Sequence, residues 1–310
     1  MNYCTYFDKN YLIQGLTFIH TLKSHNKDSF FYVLALDKTT QLKLKELNLS
    51  YVEVINLNLL LKKFPILNKE KKKRNMAEFY FLLTPYLVYF ILKYKKKDHI
   101  IYVDADMIFF SDCNFIIRLL KKNDILASYH DIDKRYNSVG KYNVGFLAFN
   151  KNDKVLKQLS IWMKQCLIST TIDKSFENII CGDQKYIDRW EANKQIKFSG
   201  IKIKNFNIGG WNIHKKKFSN KNLRLFCNDS LVRSVHVNFI KFDMKKSFFT
   251  SFMSKNRSKK TFNNEIKKIF INVCKIYKIK ILSDYKKFFN FNYLIRRFLL
   301  KNLFDLNEKY

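Results

Sequence analysis

The sequence is short of glycine, proline and acid. Seven Gly and two Pro in 310 residues exclude a collagen-like repeat and a Pro/Gly-rich low-complexity chain. The six cysteines (4, 113, 166, 181, 227 and 274) are scattered and form no CxxC pair. That spacing suits free thiols in a reducing compartment, not a zinc ribbon or a disulfide scaffold. Asp8, Lys9 and Asn10 interrupt the apolar start, so no signal peptide is visible. No uninterrupted apolar run approaches the ~18 residues of a transmembrane helix, and no internal repeat marks a solenoid. These absences predict a soluble or surface-attached intracellular protein.

Hydrophobic residues, by contrast, make up 47% of the chain, which allows a large core and excludes wholesale disorder. Lys and Arg number 58 against 26 Asp and Glu, a formal net charge of +32. Such a chain is drawn to polyanions: nucleic acid, an anionic bilayer or phosphorylated substrates. The excess is mostly Lys and comes with abundant Asn, Ile, Phe and Tyr, the mark of an AT-rich coding sequence, so charge alone selects no partner. A nucleic-acid-binding protein would exploit this charge and the 16% aromatic content. No RRM, zinc-finger or helix-turn-helix signature appears, however, and no specific nucleic acid is expected.

Apolar runs alternate with amphipathic stretches over the first two-thirds of the chain. Strands are predicted over Tyr3 to Phe7, Phe30 to Leu36, Tyr51 to Leu57 and His99 to Phe110. Helices are predicted over Leu12 to His25, Thr39 to Leu47 and Met76 to Tyr94, with Lys69 to Arg74 as a solvated basic turn and Pro85 kinking or opening the long helix. This alternation implies a largely parallel α/β sheet covered on both faces. Past residue 245 the texture becomes basic and amphipathic. A linker (Lys255 to Lys260) precedes two stretches of helical spacing, one from Glu265 to Tyr277 and one from Lys286 to Leu299. The expected division is therefore a domain over 1–245 and a helical tail over 246–310. The tail either lies on an anionic membrane surface or packs on the domain.

The sharpest motif is Tyr102-Val103-Asp104-Ala105-Asp106-Met107-Ile108. Two acids buried at the end of an apolar strand cost several kcal/mol unless paired or bound to a cation. Alternate residues of an extended chain face one side, so Asp104 and Asp106 can share a site for a hard cation, Mg²⁺ or Mn²⁺, and through it a diphosphate. A strand-end turn with solvated acids is the plainer alternative.

Around this pair lie Thr5-Tyr6-Phe7-Asp8-Lys9-Asn10-Tyr11, Tyr142-Asn143-Val144-Gly145-Phe146, Gly182-Asp183-Gln184, Asn207-Ile208-Gly209-Gly210-Trp211-Asn212 and His236-Val237-Asn238-Phe239-Ile240-Lys241. In this order, over residues 3 to 242, they resemble the metal-dependent GT-A-type nucleotide-sugar glycosyltransferases. The likeness is to the family 8-like branch and its bacterial cell-surface polysaccharide, or lipopolysaccharide, group. The resemblance implies a GT-A fold and transfer of a sugar, usually with retention, from a nucleotide donor such as a UDP-sugar to a glycan or lipid-linked acceptor. It implies a nucleotide-base loop at Thr5, Asp8 and Tyr11, a metal pair at Asp104 and Asp106, and a third metal ligand at His236. Lys241 becomes a diphosphate contact. Asn143, Gly145, Asp183, Gln184, Trp211 and Asn212 fall on the acceptor side, with Asp183 and Gln184 nearest the reacting carbon.

Each residue also has a structural reading. Asp8 and Asp183 could cap helices, His236 and Trp211 could be core, and Gly145 would admit a sugar close to the backbone. Two departures from the pattern stand out. Phe81 occupies the place of an expected Arg, leaving Arg74 to reach that face, and Phe239 replaces a glycine. Asn238, where a second histidine is expected, competes with His236 for the metal. These departures keep a catalytically inactive scaffold as an alternative to the active enzyme.

Overall fold

The computed structural model describes residues 1–131, 139–171, 182–213, 216–221, 224–237, 240–241, 249–250 and 257–278. Near-continuous apolar runs form β1 (Asn2–Phe7), β2 (Phe30–Ala35), β3 (Val52–Asn56) and β4 (His99–Val103), which pair in parallel. Between them run α1 (Leu12–His25), α2 (Lys38–Leu47), α3 (Leu57–Lys63), α4 (Ile66–Lys73) and α5 (Met76–Tyr94). Next come β5 (Met107–Phe109), α6 (Asn114–Leu120), β6 (Ile125–Tyr129), β7 (Tyr142–Asn150), α7 (Asp153–Ile168) and β8 (Phe198–Ile201). The central sheet has seven strands in the order β3-β2-β1-β4-β7-β6-β8. Only β7 runs against its neighbours, β4 and β6. One face is covered by α5 and α7, through Leu83, Leu87 and Trp162. The other is covered by α1 and α6, through Phe18, Leu22 and Ile116. Strands buried on both sides need no polar alternation, which is why they read as solid apolar runs.

Three local expectations are corrected. Lys69 to Arg74 belongs largely to α4, because a run of good helix formers carries a Glu70–Arg74 ion pair of 2.6 Å at i,i+4. Asn75 opens α5 with a capping box to Glu78, so Pro85 lies inside the helix and does not begin it. The run from His99 to Phe110 is two strands, broken by a turn at the acids. By length and composition α5 could cross a membrane. Here it is a core helix, its Leu82, Leu83, Leu87 and Ile91 fully enclosed.

The later chain adds β9 (Ile208–Gly209), β10 (Phe218–Lys221), β11 (Arg224–Cys227), β12 (Ser230–Leu231), β13 (Ser234–His236), β14 (Ile240–Lys241) and β15 (Phe249–Thr250). A small sheet β5-β13-β9 stands beside the main one. The last described helix, α8 (Arg257–Ile276), begins within the expected linker. Its Phe262, Ile266, Phe270 and Val273 are buried against the domain, where α8 meets α1 and β10. Of the two alternatives for the first amphipathic stretch, packing on the domain is what the structure has. The second stretch lies outside the described residues. The five described cysteines are buried free thiols.

Candidate active site

β4 ends at Val103 and the chain turns at once: Met107 N–H donates to the Asp104 carbonyl at 3.1 Å. The two acids therefore meet around a tight turn, not by alternation along an extended strand. Asp104 N–H is anchored on Gly145 of β7 (3.0 Å), and Val237 N–H on the Asp106 carbonyl (2.8 Å). Register supplies the third member. β13 pairs His236 with Met107 of β5 on one side and Gly209 of β9 on the other. Its Nε2 then lies 3.0 Å from Asp106 Oδ1 and 3.5 Å from Asp104 Oδ2. One ligand atom from each residue fits within a 4.8 Å group, at the carboxyl ends of the parallel strands.

The cluster is electrostatically strained. Burial raises the Asp104 carboxyl, and Asp106 raises it further, against the opposing pull of His236 and the Tyr102 hydroxyl, which donates to Asp104 Oδ1 at 2.7 Å. Burial pushes the His236 imidazole down, yet Asp106 and Asp104 together raise it on balance. Two carboxylates converge on a single imidazole, so a divalent cation would offset charge that one proton cannot. Carboxylate oxygens plus an imidazole nitrogen are a donor set that fits Mg²⁺ or Mn²⁺. The structure therefore puts His236 with the pair. Asn238 lies outside the described residues.

Beside the acids sits a neutral network. Gln184 Oε1 accepts from Asn143 Nδ2 (2.9 Å) and Val144 N–H (3.3 Å), while its Nε2 donates to the Val139 carbonyl (2.7 Å) and approaches His130 Nδ1 (3.3 Å). Asn143 Oδ1 in turn accepts from Gly145 N–H and Asn207 Nδ2, both at 3.0 Å. A Cβ on Gly145 would stand 2.6 Å from both Asn143 Oδ1 and His236 Cε1. The space beside this glycine is taken by the Asn143 and His236 side chains.

Trp211 is neither an open platform nor ordinary core. It is buried edge-on to His236 (5.3 Å, 84°) and His130 (4.7 Å, 68°), over a Gly209 whose added Cβ would reach 2.4 Å from the indole. Asn212 holds this turn by accepting from Gly209 N–H (3.1 Å) and donating to Asp131 (3.2 Å).

Asp183 is buried, with Oδ2 unpartnered. Burial lifts its carboxyl to about 7, with Thr84 opposing and Asp104 adding. It caps no helix: the following 3-10 segment (Lys185–Ala192) is preceded by Gln184 and has no side-chain cap. Asp8 does cap, accepting from Asn10 N–H at 2.9 Å and from the Tyr80 hydroxyl at 3.2 Å. Thr5 is enclosed on β1 with a hydroxyl lacking a partner, and Tyr11 packs partly buried on the same core. Arg74 is committed to Glu70, Thr170 and the Leu167 carbonyl. Lys241 lies on β14.

Sequence reading missed His130, Tyr102 and Thr84. Tyr102 carried a signal, standing on β4 two residues before Asp104. His130 ends β6 much as Asp104 ends β4, and burial lowers its imidazole to about 4, so it is neutral.

No family model matches the chain. The uncharacterized Bacillus subtilis (strain 168) protein YfnF is 28% identical over 243 residues, 73% of this chain and 77% of the relative. YfnD of the same strain, also uncharacterized, is 23% identical over 258 residues, 80% of each. Among solved structures, the galactosyltransferase LgtC in complex with donor and acceptor sugar analogues superposes with a TM-score of 0.53 at 13% identity, covering 93% of this chain and 99% of that one. Apo mouse xyloside xylosyltransferase 1 gives 0.52 at 12% identity, covering 77% and 98%. The chain has the GT-A glycosyltransferase fold.

Proposed function

We propose that the protein is a metal-dependent glycosyltransferase. It moves a sugar from a nucleotide-diphosphate donor, a UDP-sugar in the first instance, to a hydroxyl of a cell-surface or lipid-linked glycan, with retention. The observation that carries this reading is the Asp104–Asp106–His236 cluster at the carboxyl edge of a GT-A sheet. Mn²⁺ or Mg²⁺ held there would supply positive charge against the departing diphosphate. The complex of LgtC with donor and acceptor analogues supports both partner classes.

The chain's own residues do the rest by orientation. Tyr102 fixes one Asp104 oxygen, and Gly145 and Trp211 fix the imidazole. An LgtC structure described as an active-site mutant replaces a glutamine by glutamate. Gln184 is the matching candidate here, and because its amide is bonded on every side it serves as a rigid wall for the sugar. The unpartnered Asp183 oxygen is the group left to take a sugar hydroxyl.

The test is donor hydrolysis and transfer over a panel of nucleotide sugars, with Mn²⁺ and with EDTA. One donor should be consumed at least tenfold faster with metal. Turnover indifferent to EDTA, or none with any donor, would end the reading.

A further inference from the structure

Arg74 ties three helix ends together. It closes α4 through Glu70 (2.6 Å) and holds the end of α7 through the Leu167 carbonyl (2.5 Å) and Thr170 Oγ1 (2.6 Å). Thr170 in turn donates to the Glu78 carbonyl of α5 at 2.7 Å. This knot stands at the edge of the sheet that carries the acidic cluster, since Tyr80, two residues further along α5, bonds Asp8 just past β1. Ile168 and Met76 flank it. At 83% and 62% exposure they are the two most exposed large apolar side chains among the described residues. Beside them, Lys69, Lys71, Lys72 and Lys73 of α4, the helix that leads into Arg74, all face solvent. Glu70, the one acid in that stretch, is taken by Arg74.

We infer that this face docks the protein on an anionic lipid bilayer, with the sheet edge that carries the acidic cluster turned toward the lipid. Scattered lysines on a basic protein would need no partner. Two large apolar side chains held on a braced knot and flanked by the lysines of α4 have the composition of an interfacial anchor: the apolar groups enter the acyl boundary while the ammonium groups meet anionic headgroups. A nucleic acid or a soluble polyanion would use the lysines and ignore Met76 and Ile168. Helix α8 offers no such face, because its apolar side is spent on the domain. The inference stands whether or not the protein transfers sugars.

The test is co-sedimentation of the full-length protein with vesicles of phosphatidylglycerol in phosphatidylcholine, at about 0.1 M salt, where only nearby charges matter. Reversing Lys69, Lys71, Lys72 and Lys73 to Glu should lower partitioning at least thirtyfold. The same change at Lys121, Lys122, Lys151 and Lys154, beside the opposite edge of the sheet where β4 begins and β7 ends, should lower it less than threefold. Met76→Ser with Ile168→Ser should lower it at least fivefold and leave retention on heparin unchanged. Equal losses from the two lysine sets, indifference to phosphatidylglycerol, or no effect of the apolar pair would overturn the inference, the last in favour of a soluble polyanion. Thermal melts accompany each variant. If the reversed set fails to fold, the serine pair decides alone.

Discussion

Two corners of one site are built on opposite principles. In the acidic corner, Asp104, Asp106 and His236 crowd charge that their own contacts do not neutralise, so burial and mutual repulsion raise Asp104. In the amide corner, Gln184 and Asn143 are bonded to each other, to the backbone and to Asn207. The first corner is incomplete without a cation. In the second the Gln184 and Asn143 amides are bonded to their neighbours, and a bonded polar network in a low dielectric gives stiffness. Substitutions should therefore separate cleanly: the acidic corner trades function against little stability, and the amide corner loses both.

The largest effect tests the first half of that contrast. Asp104→Asn with Asp106→Asn should reduce Mn²⁺ binding below detection by isothermal titration and cut transfer about a thousandfold or more. Metal-free thermal stability should hold or rise, because a repulsive buried pair is gone. A large drop in metal-free stability would mean that the acids hold the fold. Gln184→Ala tests the second half. It strands Asn143 Nδ2 and the Val139 carbonyl, at roughly 1–3 kcal/mol for the buried groups left unpaired. Urea unfolding should show that loss and transfer should fall about a hundredfold, while Mn²⁺ affinity stays within a fewfold of wild type.

How much of this the sequence disclosed follows the same division. Strands and helices were legible because their burial is two-sided or amphipathic, and α1 and α5 begin and end where the pattern places them. The Asp104–Asp106 pair was legible as a local motif, although its turn was not: an apolar residue on each side hides a chain reversal. The amide corner was opaque. Asn143, Gln184 and Asn207 are 41 and 64 residues apart in its bonds, and nothing local marks an amide as a network member. The packing around Gly145 was opaque for a related reason, since part of what it accommodates comes from His236 on another sheet. For α8, amphipathicity announces an apolar face but not what covers it.

Asp183 sharpens the contrast through pH. Burial lifts its folded carboxyl to about 7, against an unfolded value near 3.9. A raised carboxyl favours folding only while it keeps its proton. Its contribution is therefore complete below about pH 4, shrinks as the unfolded chain ionises, and levels off above pH 7, a swing of a few kcal/mol. In EDTA, urea unfolding between pH 4 and 7.5 should show this decline, and Asp183→Asn should remove that share of the slope. An unchanged slope in the variant would mean that Asp183 is ionised in the folded protein.

The smallest expected effect probes the seam between the corners. Trp211 stands edge-on to His236 and His130 at once, so it couples the imidazole of the acidic corner to the imidazole beside Gln184. Edge-to-face contacts of this kind are worth about 0.5–1.5 kcal/mol beyond the area they bury. Trp211→Phe keeps an aromatic edge in place but shortens it, so His236 should gain rotational freedom while its bond to Asp106 survives. Mn²⁺ affinity should then fall about two- to tenfold, with metal-free melting shifted by only a few degrees. Trp211→Ala should fall further on both measures, because it empties a buried site. The ordering discriminates: if Phe and Ala lose stability together while metal affinity stays at the wild-type value, Trp211 is filler between the two corners. If affinity falls first and stability later, the indole is what holds the histidine to its acids.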